Sequence, residues 1–103
     1  MIFIETTLFT HHVVSYFTDD EYGELQDFLM KKPDAGKLIK GTGGLRKLRW
    51  KCDGKGKRGG VRIIYYWQLS LDQIYMMTLY GKNEMSDLSA DEKKTLRKIV
   101  ERW

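Results

Sequence analysis

Two adjacent apolar runs constrain the fold of this chain more than any other feature. Residues 61–69, VRIIYYWQL, and residues 73–80, QIYMMTLY, are rich in β-branched and aromatic residues and are joined by a short turn at Leu71–Asp72. This composition predicts two β-strands. Because both runs are apolar almost without interruption, we expect them at the centre of a sheet that is covered in part on both faces.

The preceding strand is predicted to carry cations on one face. In LRKLRWKC, which begins at Leu45, apolar side chains alternate with Lys47, Arg49 and Lys51. Side chains on one face of a strand lie about 7 Å apart, so successive cations repel one another unless an anion is bound against them. The pattern alone leaves two interpretations open, a solvated outer face or an anion-binding face.

Two capping boxes predict helices. Thr18 with Glu21 begins a helix that should end before Pro33, and Ser89 with Glu92 begins the last helix. The remaining predicted elements are a strand over residues 2–5 and a short helix over residues 8–17. The order β-α-α-β-β-β-α indicates an α+β fold with a mainly antiparallel sheet, and a length of 103 residues is typical of one domain, spanning 1–103.

The charge of the chain is unevenly distributed. Residues 36–62 contain ten Lys or Arg against one acid, Asp53, whereas the rest of the chain is net acidic. A basic centre in an otherwise acidic molecule is a localised field that attracts phosphate polymers, acidic membranes or acidic proteins.

The glycine-rich segment GKGKRG at residues 54–59 formally matches G-x-G-x-x-G. A dinucleotide fingerprint lies between a strand and a helix, but this segment lies between two predicted strands, so the match is accidental. Its cations, Lys55, Lys57 and Arg58, favour binding to a nucleic-acid backbone; the alternative is a mobile hairpin tip.

Several function classes lack support in the sequence. Cys52 is the only cysteine, and His11 and His12 are more typical of ordinary helix residues than of metal ligands, so no metal or cofactor is predicted. The N-terminal residues lack the features of a signal peptide, and no run approaches the roughly 18 apolar residues of a membrane span. A reducing cytoplasm is the expected location.

Metal-independent RNA cleavage is compatible with the residues present. A ribose 2′-OH can attack the adjacent phosphate where Arg and Lys stabilise the developing charge. Arginine cannot act as a base, but a lysine crowded by other cations loses its proton more readily. Lys82, Tyr80 and Tyr66 are further proton-transfer candidates by their chemistry.

Three segments together resemble the HigB branch of the RelE/ParE toxin superfamily: GTGGLRKLR (41–49), GKGKRGGVRIIYY (54–66) and YGKNEMSDLS (80–89). The resemblance covers most of the chain. It implies a small microbial-RNase-like domain of a type II toxin–antitoxin system. It also implies a ribosome-dependent mRNA endoribonuclease, or mRNA interferase, that cuts the message in the ribosomal A site beside ribosomal RNA. The implied partner is a cognate helix-turn-helix antitoxin, through which operator DNA is contacted indirectly.

The resemblance also implies site residues. The family's basic pair falls on Lys47 and Arg49, its strand arginine on Arg62, and its Gly-Lys/Arg turn on Gly81–Asn83. RelE proper has an arginine at the position of Asn83 and a tyrosine near that of Leu88. The expected catalytic residues are Arg62, Lys82, Arg49 and Tyr80, and the expected RNA-binding residues are Lys47, Lys51, Lys55, Lys57 and Arg58.

Two other functions compete with this interpretation. A non-catalytic module that blocks translation by binding RNA or the ribosome would carry the same basic patch. A sequence-reading DNA-binding protein is disfavoured, because the basic residues do not lie on a predicted recognition helix. For Arg62 itself, the alternative is a structural ion pair, for example with Glu84 or Asp87.

Overall fold

The two apolar runs form the centre of a five-stranded sheet. The computed structural model describes residues 1–51, 60–82, 84 and 87–102. Its elements are β1 (Ile2–Glu5), α1 (Thr7–Val13), α2 (Asp19–Lys31), β2 (Lys37–Leu38), β3 (Leu45–Trp50), β4 (Val61–Gln68), β5 (Gln73–Gly81) and α3 (Ala90–Glu101). The strand order is β1-β5-β4-β3-β2; β1 is parallel to β5, and the other pairs are antiparallel. The predicted α+β class is confirmed.

The observed elements differ from the predicted ones in three places. The strand β2 adds an edge to the sheet, and its two residues are too few for a pattern in the sequence to reveal it. The sequence predicts a helix over 8–17, but α1 ends at Val13. The β-branched residues Val13 and Val14 disfavour a longer helix. The chain must also adopt an extended conformation at Thr18, which is the N-cap of α2. Lys51 lies just beyond β3 and therefore does not extend the cationic face of that strand.

Each face of the sheet has its own apolar core. Helices α1 and α2 cover one face, where Phe9 and Leu25 pack with Val61 and Ile63. Helix α3 covers the other face, with Leu96 and Val100 among the buried residues. Both predicted capping boxes are present, at Thr18–Glu21 and Ser89–Glu92. Among the described residues, no helix is long and apolar enough to cross a bilayer.

A β-bulge sets the alternation along β5. Ile64 pairs with Thr78, whereas the next residue, Tyr65, pairs with Met76, so Met77 has no partner in the ladder. The extra residue shifts the register by one, and beyond it Arg62 lies opposite Tyr80. An unbulged ladder would place Leu79 there instead. The bulge therefore determines which side chain lies beside Arg62.

Tyr65 joins the sheet to the segment that follows α2. Its side chain is fully buried, its hydroxyl donates to the Pro33 carbonyl at 2.7 Å, and it accepts the Gly36 N–H at 2.9 Å. An added Cβ at Gly36 would lie 2.8 Å from the Tyr65 ring, so the close approach requires glycine. This contact fixes the start of β2.

We predict that Tyr65→Phe lowers the free energy of unfolding by about 1–3 kcal/mol, because the buried Gly36 N–H and the partly buried Pro33 carbonyl lose their partner. Urea denaturation at neutral pH measures this loss. The matched control is Tyr22→Phe, whose hydroxyl donates to the half-buried Glu5 carboxylate. Water can replace that bond, so we expect a smaller loss. Equal losses in the two variants would contradict the anchoring role of Tyr65.

Candidate functional site

Three neighbouring strands place Arg49, Arg62 and Tyr80 in one row. Arg49 of β3 lies opposite Arg62 of β4, and Arg62 lies opposite Tyr80 of β5. Directly opposed residues have Cβ atoms about 5 Å apart. The row crosses the end of the sheet on the face that α3 covers, so two guanidinium groups and a phenol are brought together there.

The row opens into a cationic cleft of about 310 Å³, lined by Arg49, Trp50, Lys51, Arg62 and Lys82. Gly60 lies next to this cleft, since its carbonyl accepts the N–H of Lys82 at 3.2 Å. Gly60 has φ +76°, and a Cβ there would lie 2.3 Å from the Trp50 carbonyl oxygen. Only glycine fits this junction of the strands β3, β4 and β5.

Arg62 and Tyr80 are buried, whereas Lys82 is exposed in the turn after β5. Burial raises the pKa of the Tyr80 phenol, and the nearby Asp87 carboxylate adds to the rise while Arg62 opposes it. The phenol is therefore neutral at physiological pH. In the described part of the chain, its hydroxyl has no hydrogen-bond partner.

Asp87 connects β3 to α3. Its carboxylate lies 3.5 Å from the Lys47 ammonium and 3.8 Å from that of Lys93. Partial burial raises the pKa of Asp87, but the Leu88 N–H and the two lysines outweigh that effect and hold the pKa below its ordinary value. The Asp87 carboxylate therefore offsets part of the positive charge of the Lys47 ammonium.

The turn after β5 is anchored from the opposite side of the molecule. The Tyr16 hydroxyl, between α1 and α2, donates to the Glu84 carboxylate at 2.5 Å. Burial and this bond raise the pKa of Tyr16 to about 12. The Glu84 N–H donates to the Gly81 carbonyl at 3.0 Å, so Lys82 lies within a turn held at both ends.

The structure brings together most of the residues predicted for the site. Arg49, Arg62, Lys51 and Lys82 line the cleft, and Tyr80 adjoins it in the row. Lys47 instead lines a neighbouring cavity with Ala35, Lys37 and Arg49. The predictions for Cys52, Lys55, Lys57, Arg58 and Asn83 fall outside the described residues.

The sequence pattern did not predict that other residues belong to the site. Trp50 packs edge-on against Phe28, with ring centroids 5.3 Å apart, yet it also lines the cleft. The Tyr16–Glu84 bond joins residues 68 positions apart. His11 and His12 contact each other on α1, and no metal-binding group of three His, Cys, Asp or Glu side chains occurs among the described residues.

Comparison with known proteins identifies a family. Residues 34–103 match the family model described as the RelE toxin of the RelE/RelB toxin–antitoxin system. The fold is similar to that of a chain in the crystal structure of the intact E. coli RelBE toxin–antitoxin complex. The TM-score is 0.55 and the sequence identity 10%, and the match covers 76% of this chain and 92% of that chain. At this identity the likeness concerns the fold alone.

Asp87→Asn tests the link between β3 and α3. Because the folded-state pKa of Asp87 lies below its ordinary value of 3.8, its ionisation stabilises the fold above that pH. This contribution is lost as the pH falls through the lower, folded-state pKa. We expect the variant to lose less than about 1 kcal/mol of unfolding free energy at pH 7, since the carboxylate is largely exposed.

Denaturation at a series of pH values measures this effect against Asp27→Asn, which removes an exposed carboxylate from α2. The difference between wild type and Asp87→Asn should shrink below pH 3.8, the ordinary value. A difference that stays constant across the acid range would contradict the ion-pair account.

Proposed function

This chain belongs to the RelE toxin family, and on that premise we propose that it is an endoribonuclease that cuts messenger RNA held in the ribosome. The observation that carries the proposal is the opposed pair Arg49 and Arg62 at the mouth of a cleft that also holds Lys51 and Lys82. A cleft lined by several cations favours a ligand that carries negative charge, and this is the requirement for any substrate of the site. A phosphodiester fits that requirement.

The proposed reaction begins with attack of a ribose 2′-OH on the adjacent phosphorus. The O2′–P bond forms and the P–O5′ bond breaks, which leaves a 2′,3′-cyclic phosphate and a free 5′-OH. Negative charge accumulates on the non-bridging oxygens in the transition state, where preorganised cations lower the barrier most. DNA lacks the 2′-OH and is not a substrate for this reaction.

The placement of each side chain favours a particular role. Arg62 is buried and has a planar guanidinium, which suits it to bind the non-bridging oxygens in a fixed orientation. Arg49 binds the same phosphate from the neighbouring strand. Lys82 reaches the cleft from the turn and can give a proton to the departing O5′. We assign the base that takes the proton of the 2′-OH to a lysine of the cleft.

Tyr80 has a supporting role in this proposal. Its neutral phenol packs beside Arg62 and orients that guanidinium, whereas a deprotonated phenolate is disfavoured by burial. Lys51 and Lys47 position the message on either side of Arg49. Lys55, Lys57 and Arg58 are proposed to hold RNA, on the sequence pattern alone.

The family also supports a cognate antitoxin as partner, and the similar E. coli structure is itself a toxin–antitoxin complex. We propose that residues 1–103 act as one toxin domain of the HigB branch, working in the cytoplasm at the ribosomal A site. Its antitoxin would be a helix-turn-helix protein through which the toxin reaches operator DNA.

Primer extension on a defined message in a purified translation system tests the activity. Wild type should give discrete cuts that require ribosomes. Arg62→Gln and Lys82→Gln should each cut about 100-fold more slowly, the usual loss for one transition-state contact. Lys82 is exposed, so its replacement leaves folding intact even if Arg62→Gln is unstable.

The control is Arg102→Gln, which removes an exposed cation at the end of α3 and should cut like wild type. Translation arrest with an intact message would contradict the nuclease proposal and indicate a module that inhibits by binding alone.

A further inference from the structure

A second cavity of about 400 Å³ adjoins the cleft. It is lined by Ala35, Lys37, Lys47 and Arg49, and it shares Arg49 with the cleft. The described residues that line the two cavities include six cations and no acid. The cations are Lys37, Lys47, Arg49, Lys51, Arg62 and Lys82. The two cavities thus form one cationic trench that runs across four strands.

Lys37 is the cation of this trench that the mechanism does not use. It lies directly opposite Lys47 in the β2–β3 pair, an arrangement of like charges that destabilises strand pairing. Asp87 balances Lys47 at 3.5 Å, but no ion pair with an acid of the described residues involves Lys37. A polyanion in the second cavity would relieve this repulsion between Lys37 and Lys47.

The spacing of the strands gives the trench a length. From β2 to β5 there are three strand spacings of about 4.8 Å, or roughly 14 Å in all. A stacked nucleic-acid strand advances about 3.4 Å per nucleotide, so roughly four nucleotides fit along the trench. Lys37 pairs with Lys47, two residues along β3 from Arg49, so it lies about 7 Å across the strands and about 7 Å along them from the midpoint between Arg49 and Arg62. The direct distance is about 10 Å, or about three nucleotides.

We propose that the Lys37 cavity is a second phosphate subsite, which binds single-stranded RNA about three nucleotides from the phosphate held by Arg49 and Arg62. The inference rests on the proposed function, since the trench is taken to hold RNA. It makes a distinct prediction: Lys37 contributes to binding only when the RNA is long enough to reach it.

The test uses 2′-O-methyl RNA, which cannot be cleaved, as a dinucleotide and as a hexanucleotide. Anisotropy titrations at several salt concentrations compare wild type, Lys37→Gln and Lys37→Arg. The control is Lys98→Gln, which removes an exposed cation from α3. Ribosome-dependent cleavage by wild type is measured in parallel.

We expect Lys37→Gln to bind the hexanucleotide about fivefold more weakly at low salt. The slope of log K against log salt should fall by about 0.7, which is the loss of one phosphate contact. Binding of the dinucleotide should not change. Lys37→Arg should restore the affinity, and Lys98→Gln should match wild type.

Two results would overturn the subsite while leaving the proposed function intact. In the first, Lys37→Gln binds the hexanucleotide as tightly as wild type does. In the second, Lys37→Gln loses the same amount of affinity for the dinucleotide as for the hexanucleotide. Failure of wild type to bind the hexanucleotide at low salt would also overturn the inference. Failure of wild type to cut ribosome-bound message would refute the proposed function, and the parallel cleavage assay separates that outcome from the others.

Discussion

The pairing of Arg49 with Arg62 across β3 and β4 is the constraint on which the rest of the site depends. Arg49 and Arg62 occupy directly opposite positions of this strand pair, where like charges repel each other. The surrounding fold offsets this repulsion, because both strands lie within the sheet and large apolar residues pack on each face. The core therefore holds both cations at the cleft that they line.

The rest of the fold supports this pair. Helices α1 and α2 close one face of the sheet, so the cations project from the other. Helix α3 covers that second face, and Asp87 links its start to β3 through Lys47. The bond between Tyr16 and Glu84 then fixes the turn that carries Lys82. Each connection holds a cation near the row, and no acid is among the described residues that line the cleft.

Local pattern predicted the main elements of this structure, and the resemblance to a toxin family supplied the residues Arg49, Arg62 and Lys82 that line the cleft. Alternation in the first of the three strands assigned Lys47 and Arg49 to one face, and the capping box at Ser89 fixed the start of α3. These features depend on side chains within a few positions of one another. The grouping of these cations into one site was predicted from the resemblance to a toxin family. The family model confirms that resemblance.

What escaped prediction depends on register and on distant contacts. The bulge at Met77 decides that Tyr80 rather than Leu79 lies beside Arg62, and nothing in QIYMMTLY marks it. Lys37 enters the trench because a two-residue strand pairs with β3. Tyr16 meets Glu84 only in the folded chain. Burial of Tyr80, which the sequence did not indicate, is the reason that we propose an orienting role for it in place of the predicted proton transfer.

The central claim is that the cationic row stabilises attack by a 2′-OH on its own phosphate. The most direct measurement places a single 2′-deoxynucleotide immediately 5′ to the cut site of a message in the purified translation system. The account predicts that cutting at that bond stops, while the unmodified message gives a 2′,3′-cyclic phosphate end. Cutting of the deoxy-substituted bond at the normal rate would contradict it, since the attacking group would then lie elsewhere.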